Sequence, residues 1–375
     1  MADSRKKRGI RHELTLILFI LFGGITSGST TLKDCHLWAV HNWKFLSRYF
    51  LLVHGIPDPT TISYVLQKLR PEELPQAYLL FLHILGVTIG DVISADGKTM
   101  RAVTGKDTIR HMLSLFTHLT HTVVSQIGVT QKENEIPALR RLLERDYLKD
   151  RIKGCLFLAD ALHANAETAN AILLGEADYL LVIKGNQKDF FADIFTAFTD
   201  QENLLGTNYQ KVSIIKETHT EKQLTRKRDV ITTVTTTNDQ ELCSYLVQQH
   251  GFEKIQTVGV LRRHGIRKTK DGTSHAIDET ICFVSSRKLS AKETTTLLRS
   301  HWCIENNLHW VKDFVFLEDR QTLRSGNAPQ IMSFLRSICI SIFNLLKFQS
   351  ISDAVHNFEK SKTIHYQFLR MAAVV

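Results

Sequence analysis

Apolar residues recur at intervals of three and four from about residue 10 to about residue 85, with a break at Gly55-Ile56-Pro57-Asp58-Pro59. That spacing keeps one face of a helix in a core, so it predicts a small all-helical region. Near residue 87 the period shortens. Val87-Thr88-Ile89 and Val92-Ile93-Ser94-Ala95 are β-prone runs ending on the turn dipeptide Asp96-Gly97, and Thr99 to Val103 is expected to return as the next strand. His118 to Ser125 is a third β-prone run. Ile136 to Leu148 comes next as an amphipathic helix with Leu139, Leu142, Leu143 and Tyr147 as its stripe. Cys155 to Ala159 is a continuous apolar run of the buried-strand type that closes on Asp160. A helix is expected from about Ala166 to Leu174, and Tyr179 to Ile183 forms another buried strand before Lys184-Gly185-Asn186-Gln187.

Three strands, helix, strand, helix, strand is the order of an RNase H-like domain, an α/β layer arrangement around a mixed sheet flanked by helices. From about 190 to 290 the chain turns Thr-rich and charged, with β-branched stretches at Val230 to Thr237 and Ile281 to Val284, and this predicts a β-rich insertion. A final helical block runs from about Ala291 to Leu346. The expected division is an N-terminal helical domain over 1–86, a first part of the core over 87–189, the insertion over 190–290, a C-terminal helical part over 291–350 and a tail over 351–375.

At 375 residues and 43% hydrophobic content, the chain is long enough for two or three separate cores. The formal charge of +9 suits a partner rich in phosphate. Six cysteines lie singly, without the paired spacing of a zinc ribbon or a secreted disulfide framework, and a reducing cytosol fits them best. His301, Cys303 and His309 lack a fourth ligand at zinc spacing. The basic run Arg5-Lys6-Lys7-Arg8 before the apolar stretch Leu14 to Gly28 mimics a secretory leader. That stretch is shorter than the about 20 residues of a membrane span, breaks at Gly23-Gly24 and meets no A-x-A cleavage site. A buried helix is the expectation, with no membrane.

Two acids, Asp96 and Asp160, each stand at the end of an apolar strand, where ligand sites of α/β sheets gather. A third, Glu305, sits in the dense segment His301-Trp302-Cys303-Ile304-Glu305-Asn306-Asn307-Leu308-His309-Trp310-Val311-Lys312-Asp313. On a helix, Ile304, Leu308 and Val311 make an apolar stripe, and Glu305, His309 and Lys312 line the adjoining side. Three carboxylates suit phosphodiester chemistry. The phosphate repels a nucleophile, and two Mg²⁺ ions about 4 Å apart can activate the attacking oxygen and stabilise the leaving one; Mn²⁺ can substitute. The exposed basic groups expected to grip double-stranded DNA are Lys184, Arg226-Lys227-Arg228 and Arg262-Arg263.

With these residues in place, the chain resembles the H-repeat-associated insertion-sequence transposases, a branch of the DDE superfamily. The matching pieces fall in order: Asp96-Gly97-Lys98, Lys132-Glu133-Asn134-Glu135-Ile136, Asp160-Ala161-Leu162-His163, Asp178-Tyr179 with Lys184-Gly185-Asn186-Gln187, and the block from His301-Trp302 through Glu305, His309-Trp310, Asp313, Phe316, Glu318-Asp319 and Gly326-Asn327-Ala328-Pro329. The resemblance implies that Asp96, Asp160 and Glu305 are the metal-binding catalytic triad, on an RNase H-like fold with a β-rich insertion between the second and third acids. It also implies DNA cleavage and strand transfer, a homodimer on DNA, and a cytoplasmic, nucleoid-associated protein. Related transposases place an Arg where His301 stands and a Lys where Lys312 stands, which makes Lys312 a candidate phosphate contact. The stretch around His219 to Arg228 departs from the family's insertion motif, and Asn165 stands where Gln is common. Two alternatives stay open: a nuclease without strand transfer, and a DNA-binding derivative that has lost catalysis.

Overall fold

A computed structural model describes residues 5, 10–104, 109–130, 133–199, 216–225, 228–269 and 273–361. The basic pair Arg226-Lys227, and Lys132 of the second matching piece, lie outside the described residues. The chain is a mixed α/β protein. Five helices come first: α1 (Leu14–Thr26), α2 (Leu32–His41), α3 (Trp43–Leu46), α4 (Pro59–Lys68) and α5 (Glu73–Ile84). After them come strands β1 (Val92–Thr99), β2 (His111–Thr117) and β3 (Val123–Val129), then α6 (Glu135–Leu143), α7 (Asp146–Ile152), β4 (Leu156–Ala159), α8 (Ala166–Leu174), β5 (Asp178–Ile183) and α9 (Lys188–Phe198). Next are β6 (Glu217–Thr225), β7 (Arg228–Thr237), α10 (Gln240–His250), β8 (Thr257–Lys268) and β9 (Ser274–Ser285). The last elements are α11 (Ala291–Ser300), α12 (Trp310–Phe314), α13 (Ala328–Leu345) and α14 (Ile351–Lys360). The strands hydrogen-bond in the order β3-β2-β1-β4-β5-β9-β8-β7-β6.

The residues fall into two compact units. The first comprises Met1–Gly90, Asp96–Ala138 and Cys303–Val375; the second comprises Asp91–Ala95 and Leu139–Trp302. In the first, α1, α4 and α5 pack on α13. Gly23 and Gly24 explain how α1 approaches α2 so closely: a Cβ on Gly23 would fall 2.1 Å from the Trp38 ring, and one on Gly24 would fall 2.8 Å from Cys35 Sγ. The N-terminal apolar stretch is therefore a core helix, as its broken hydrophobicity predicts. A capping box at Thr31 and Asp34 starts α2, and Asp58 with Pro59 at the first turn starts α4. α13 is apolar and 18 residues long, enough by length and composition to cross a membrane, but 83% of it is buried. Its Ser333, Ser337 and Ser341 hydroxyls meet partners on β3 and α12, including Val123 N–H, Gln126 and Lys312.

In the second unit, the start of β1 pairs in parallel with β4, Ala95 opposite Ala159, and β4 pairs in parallel with β5. β9 runs antiparallel to β5, and β8, β7 and β6 continue outward in antiparallel pairs. The β-rich segment after residue 190 thus extends the sheet through β5 and does not close a sheet of its own. Leu156, Leu158, Leu180, Val234, Leu261, Ile281 and Phe283 form one apolar cluster along it. Arg299 of α11 pairs with Glu221 of β6 and fastens the outer hairpin to the helix.

One sequence expectation fails here. Asp96-Gly97 is not a turn: β1 runs through it to Thr99, and the next strand starts at His111 rather than near Thr99. Glycine is needed at 97 for close approach, since a Cβ there would fall 2.3 Å from Glu135 Oε1 and 2.4 Å from His111 Nε2. The hairpin turn falls instead at His118 to Thr122, inside the run expected to be a strand, with His121 at φ 51°.

Candidate active site

In the first unit, Asp96 projects from β1 and Glu305 from the helical segment that leads into α12. That segment is not regular α-helix. Residues Glu305–His309 form a π turn, closed by a bond from Trp310 N–H to Glu305 C=O, the five-residue spacing of a π bulge. His309, within the same turn, is 3% exposed. Its Nδ1 lies 3.0 Å from Glu305 Oε2 and 3.3 Å from Asp96 Oδ2. Ligand atoms of the three residues all lie within 4.8 Å of one another. Two carboxylates that approach so closely repel unless a positive charge joins them. Burial pushes the His309 pKa down, but its hydrogen bonds to Asp96 and Glu305 outweigh that and hold it above the ordinary imidazole value. In turn the His309 hydrogen bond overcomes burial and lowers the Glu305 pKa, with the Lys98 ammonium adding to the effect. Both acids are therefore aimed at one point. His309 Nε2 is buried without a hydrogen-bond partner among the described residues.

This donor set fits a divalent cation. Carboxylate oxygens are the ligands that hard cations prefer, and Asp96 and Glu305 already converge without a change of backbone. The imidazole, engaged through Nδ1, orients both carboxylates.

In the second unit, Asp160 comes directly after β4 and opens the short 3₁₀ turn Ala161–His163. Its carboxylate is 62% exposed and lies 3.4 Å from His301 Nε2. His301 Nδ1 in turn lies 3.4 Å from Ser94 Oγ. The His301 hydrogen bond, stronger than the opposing effect of burial, lowers the Asp160 pKa, and Lys184 and His163 contribute. Lys184 is exposed after β5, and the neighbouring Asn186 amide donates to Ala161 C=O, tying the two loops. The pairing of His301 with Asp160 is invisible in the sequence, where the two lie far apart.

Among the basic residues read from the sequence, Arg262 is exposed with one guanidinium nitrogen 3.4 Å from Phe198 C=O, and Arg263 pairs with Glu279 at 3.4 Å. Adjacent residues of one strand face opposite sides of the sheet, so the two do not form a single basic patch. Arg228 begins β7 with Arg267 as its register partner.

Lys312 is a correction. It is 1% exposed and donates to Ser333 Oγ at 3.0 Å, so its ammonium does not reach a phosphate. On an uninterrupted α-helix it would share the side of Glu305. The π turn inserts one residue into the repeat and rotates the next helical turn by about 100°, which carries Lys312 inward. Burial lowers its pKa to about 8, partly offset by Glu318. Linkage sets the sign. Between about 8 and the ordinary value near 10.4, the unfolded chain binds more protons at this lysine than the folded one, so stability gains from rising pH in that window. We expect Lys312→Met to remove this gain, seen as a flatter dependence of unfolding free energy on pH between about 8 and 10; parallel curves for the two proteins would refute the buried charge.

The family described as Transposase DDE domain matches residues 88–342, and the region described as DDE_Tnp_1-associated matches residues 1–82. The chain is similar to "Putative transposase YncI" of Escherichia coli O157:H7, at 27% identity over 91% of this chain and 84% of that one. It is also similar to "H repeat-associated putative transposase YhhI" of Escherichia coli strain K12, at 28% identity over 91% of this chain and 87% of that one. "H repeat-associated putative transposase YbfD" of the same strain is 30% identical over 49% of this chain and 73% of its own length.

Proposed function

This chain belongs to the transposase DDE-domain family, and we propose that it cuts DNA strands at the ends of an insertion sequence and joins them to target DNA, on a core of RNase H-like type. The observation that carries the proposal is the convergence of Asp96, Glu305 and His309 within 4.8 Å. Asp96 and Glu305 supply two carboxylates, and Asp160 is the third. Its support is local: Ala95 and Ala159 are register partners, and each is followed directly by one of the acids. Mg²⁺, with Mn²⁺ as a substitute, would supply charge neutralisation at the phosphodiester and activation of the attacking oxygen.

The protein's own groups do the rest. His309 keeps Asp96 and Glu305 facing each other before any cation arrives, and His301 does the same for the orientation of Asp160. Lys184 and Arg262, both exposed, contribute to a salt-sensitive hold on the DNA backbone. A homodimer would bring two DNA ends together, and action on chromosomal DNA would place the protein in the bacterial cytoplasm.

The experiment uses the full chain, Mg²⁺ and the DNA flanking its gene, supplied both intact and as a labelled pre-cut end. Nicked flanking DNA together with joined products supports the proposal. Cleavage without joining favours the nuclease reading, and DNA binding with neither reaction in Mg²⁺ or Mn²⁺ favours a binder that has lost catalysis.

A further inference from the structure

Asp96, Gly97 and Lys98 are consecutive, and each is engaged by a different element of the first unit. Lys98 is nearly buried, with a side-chain exposure of 9%, and its Nζ lies 2.7 Å from Asp313 Oδ2 on α12. Side chains two apart in a strand share a face, so this pair ties down the same face of β1 that carries the Asp96 carboxylate. The opposite face is marked by Gly97, whose absent Cβ would point into the Glu135 and His111 side chains. Those two are themselves joined, His111 Nε2 to Glu135 Oε1 at 2.7 Å, and His111 Nδ1 lies 2.8 Å from Thr99 Oγ1. The strand end is thus clamped from both faces, by α12 on one side and by β2 and α6 on the other.

We infer that the Lys98–Asp313 and His111–Glu135 pairs are positioning groups that fix Asp96 against Glu305. Geometry makes the need plain. Glu305 and Asp313 lie on the same helical segment, eight residues apart, whereas Asp96 arrives on a strand, and the Lys98–Asp313 bond joins strand to helix two residues past the Asp96 carboxylate. Rotation of β1 about its axis would carry Asp96 away from His309, and the Glu135–His111 pair beneath Gly97 blocks that rotation. An error of a few tenths of an ångström in ligand placement is enough to weaken a cation site. The motif pieces Asp96-Gly97-Lys98 and Glu133 to Ile136, far apart in sequence, acquire one shared purpose.

This inference rests on the cation site proposed above, and the test separates the two. Mn²⁺ affinity of the full chain is measured by calorimetric titration or by the spectrum of the bound ion, with thermal unfolding recorded alongside. The wild-type chain should bind Mn²⁺, and Asp96→Asn should abolish that binding; failure of this step refutes the site itself. Lys98→Met and Asp313→Asn are each expected to weaken Mn²⁺ binding about tenfold, and the double variant to be no worse than either single one, as for two ends of one contact. Gly97→Ala, which displaces the second pair without altering any charge, should match Glu135→Gln. Lys98→Arg should recover part of the affinity. If Asp96-dependent Mn²⁺ binding is present but Lys98→Met, Asp313→Asn and Gly97→Ala all retain wild-type affinity, the positioning role is overturned. A variant that lowers the unfolding temperature yet keeps Mn²⁺ affinity counts on the same side, because a purely structural contact would behave in that way.

Discussion

Asp96→Asn and Glu305→Gln are each expected to slow cation-dependent strand cleavage by roughly 10³-fold or more, while DNA affinity stays within about threefold of wild type. Each substitution preserves shape and removes one negative charge, so the π turn and the strand end should remain folded. What disappears is the paired oxygen donors whose contacts with His309 Nδ1, at 3.0 and 3.3 Å, define the point where a cation would sit. Single-turnover cleavage in Mg²⁺, with DNA binding measured separately in Ca²⁺, distinguishes the two effects. Asp160→Asn should fall in the same class if it is the third ligand. His309→Gln should lose less, because it removes the group that aligns the ligands and leaves both carboxylates in place. Retention of more than a tenth of wild-type cleavage by Asp96→Asn would contradict a catalytic role for this cluster.

Much of this architecture is readable in the chain, and two of the three exceptions share a cause. The buried strands β4 and β5 and helix α8 lie where their apolar runs and periodicity put them, because each is decided by local pattern and full burial. Asp96 and Glu305 are legible as candidate acids, although Asp96 lies within β1 rather than at its end, and the fold brings the two together beside His309. Three features are not legible. Asp96-Gly97 carries turn chemistry, but the Glu135–His111 pair from elsewhere in the chain demands a glycine inside a strand. The π turn at Glu305 leaves no mark in composition, and it alone decides that Lys312 points inward. The β-rich segment reads as separate because of its Thr-rich sequence, yet β9 pairs with β5 through long-range register that periodicity does not encode. At Asp96-Gly97 and at β9 a distant partner overrides a correct local preference.

The same inward rotation creates the largest expected effect on stability. Glu318→Ala should destabilise the fold by about 3–5 kcal/mol at neutral pH, as removal of one partner from a buried ion pair does. Glu318 is fully buried and Arg336, its partner at 3.4 Å, is 2% exposed. Burial alone would raise the Glu318 pKa, but Lys312 and Arg336 outweigh it and hold the carboxyl ionised below the ordinary value. Removing it strands two cations. Lys312 can shed its proton at modest cost, since its pKa is already lowered to about 8. Arg336 cannot deprotonate, and its remaining hydrogen bond, to Gln321 Oε1 at 2.9 Å, does not neutralise it. Denaturant unfolding of Glu318→Ala and of the double variant Glu318→Leu, Arg336→Met should therefore diverge, with the double variant recovering most of the loss because apolar groups of similar volume need no counter-charge. A cost below about 1 kcal/mol for Glu318→Ala, the size of an exposed pair, would mean that water reaches Arg336 and that the interior beneath the site is not closed.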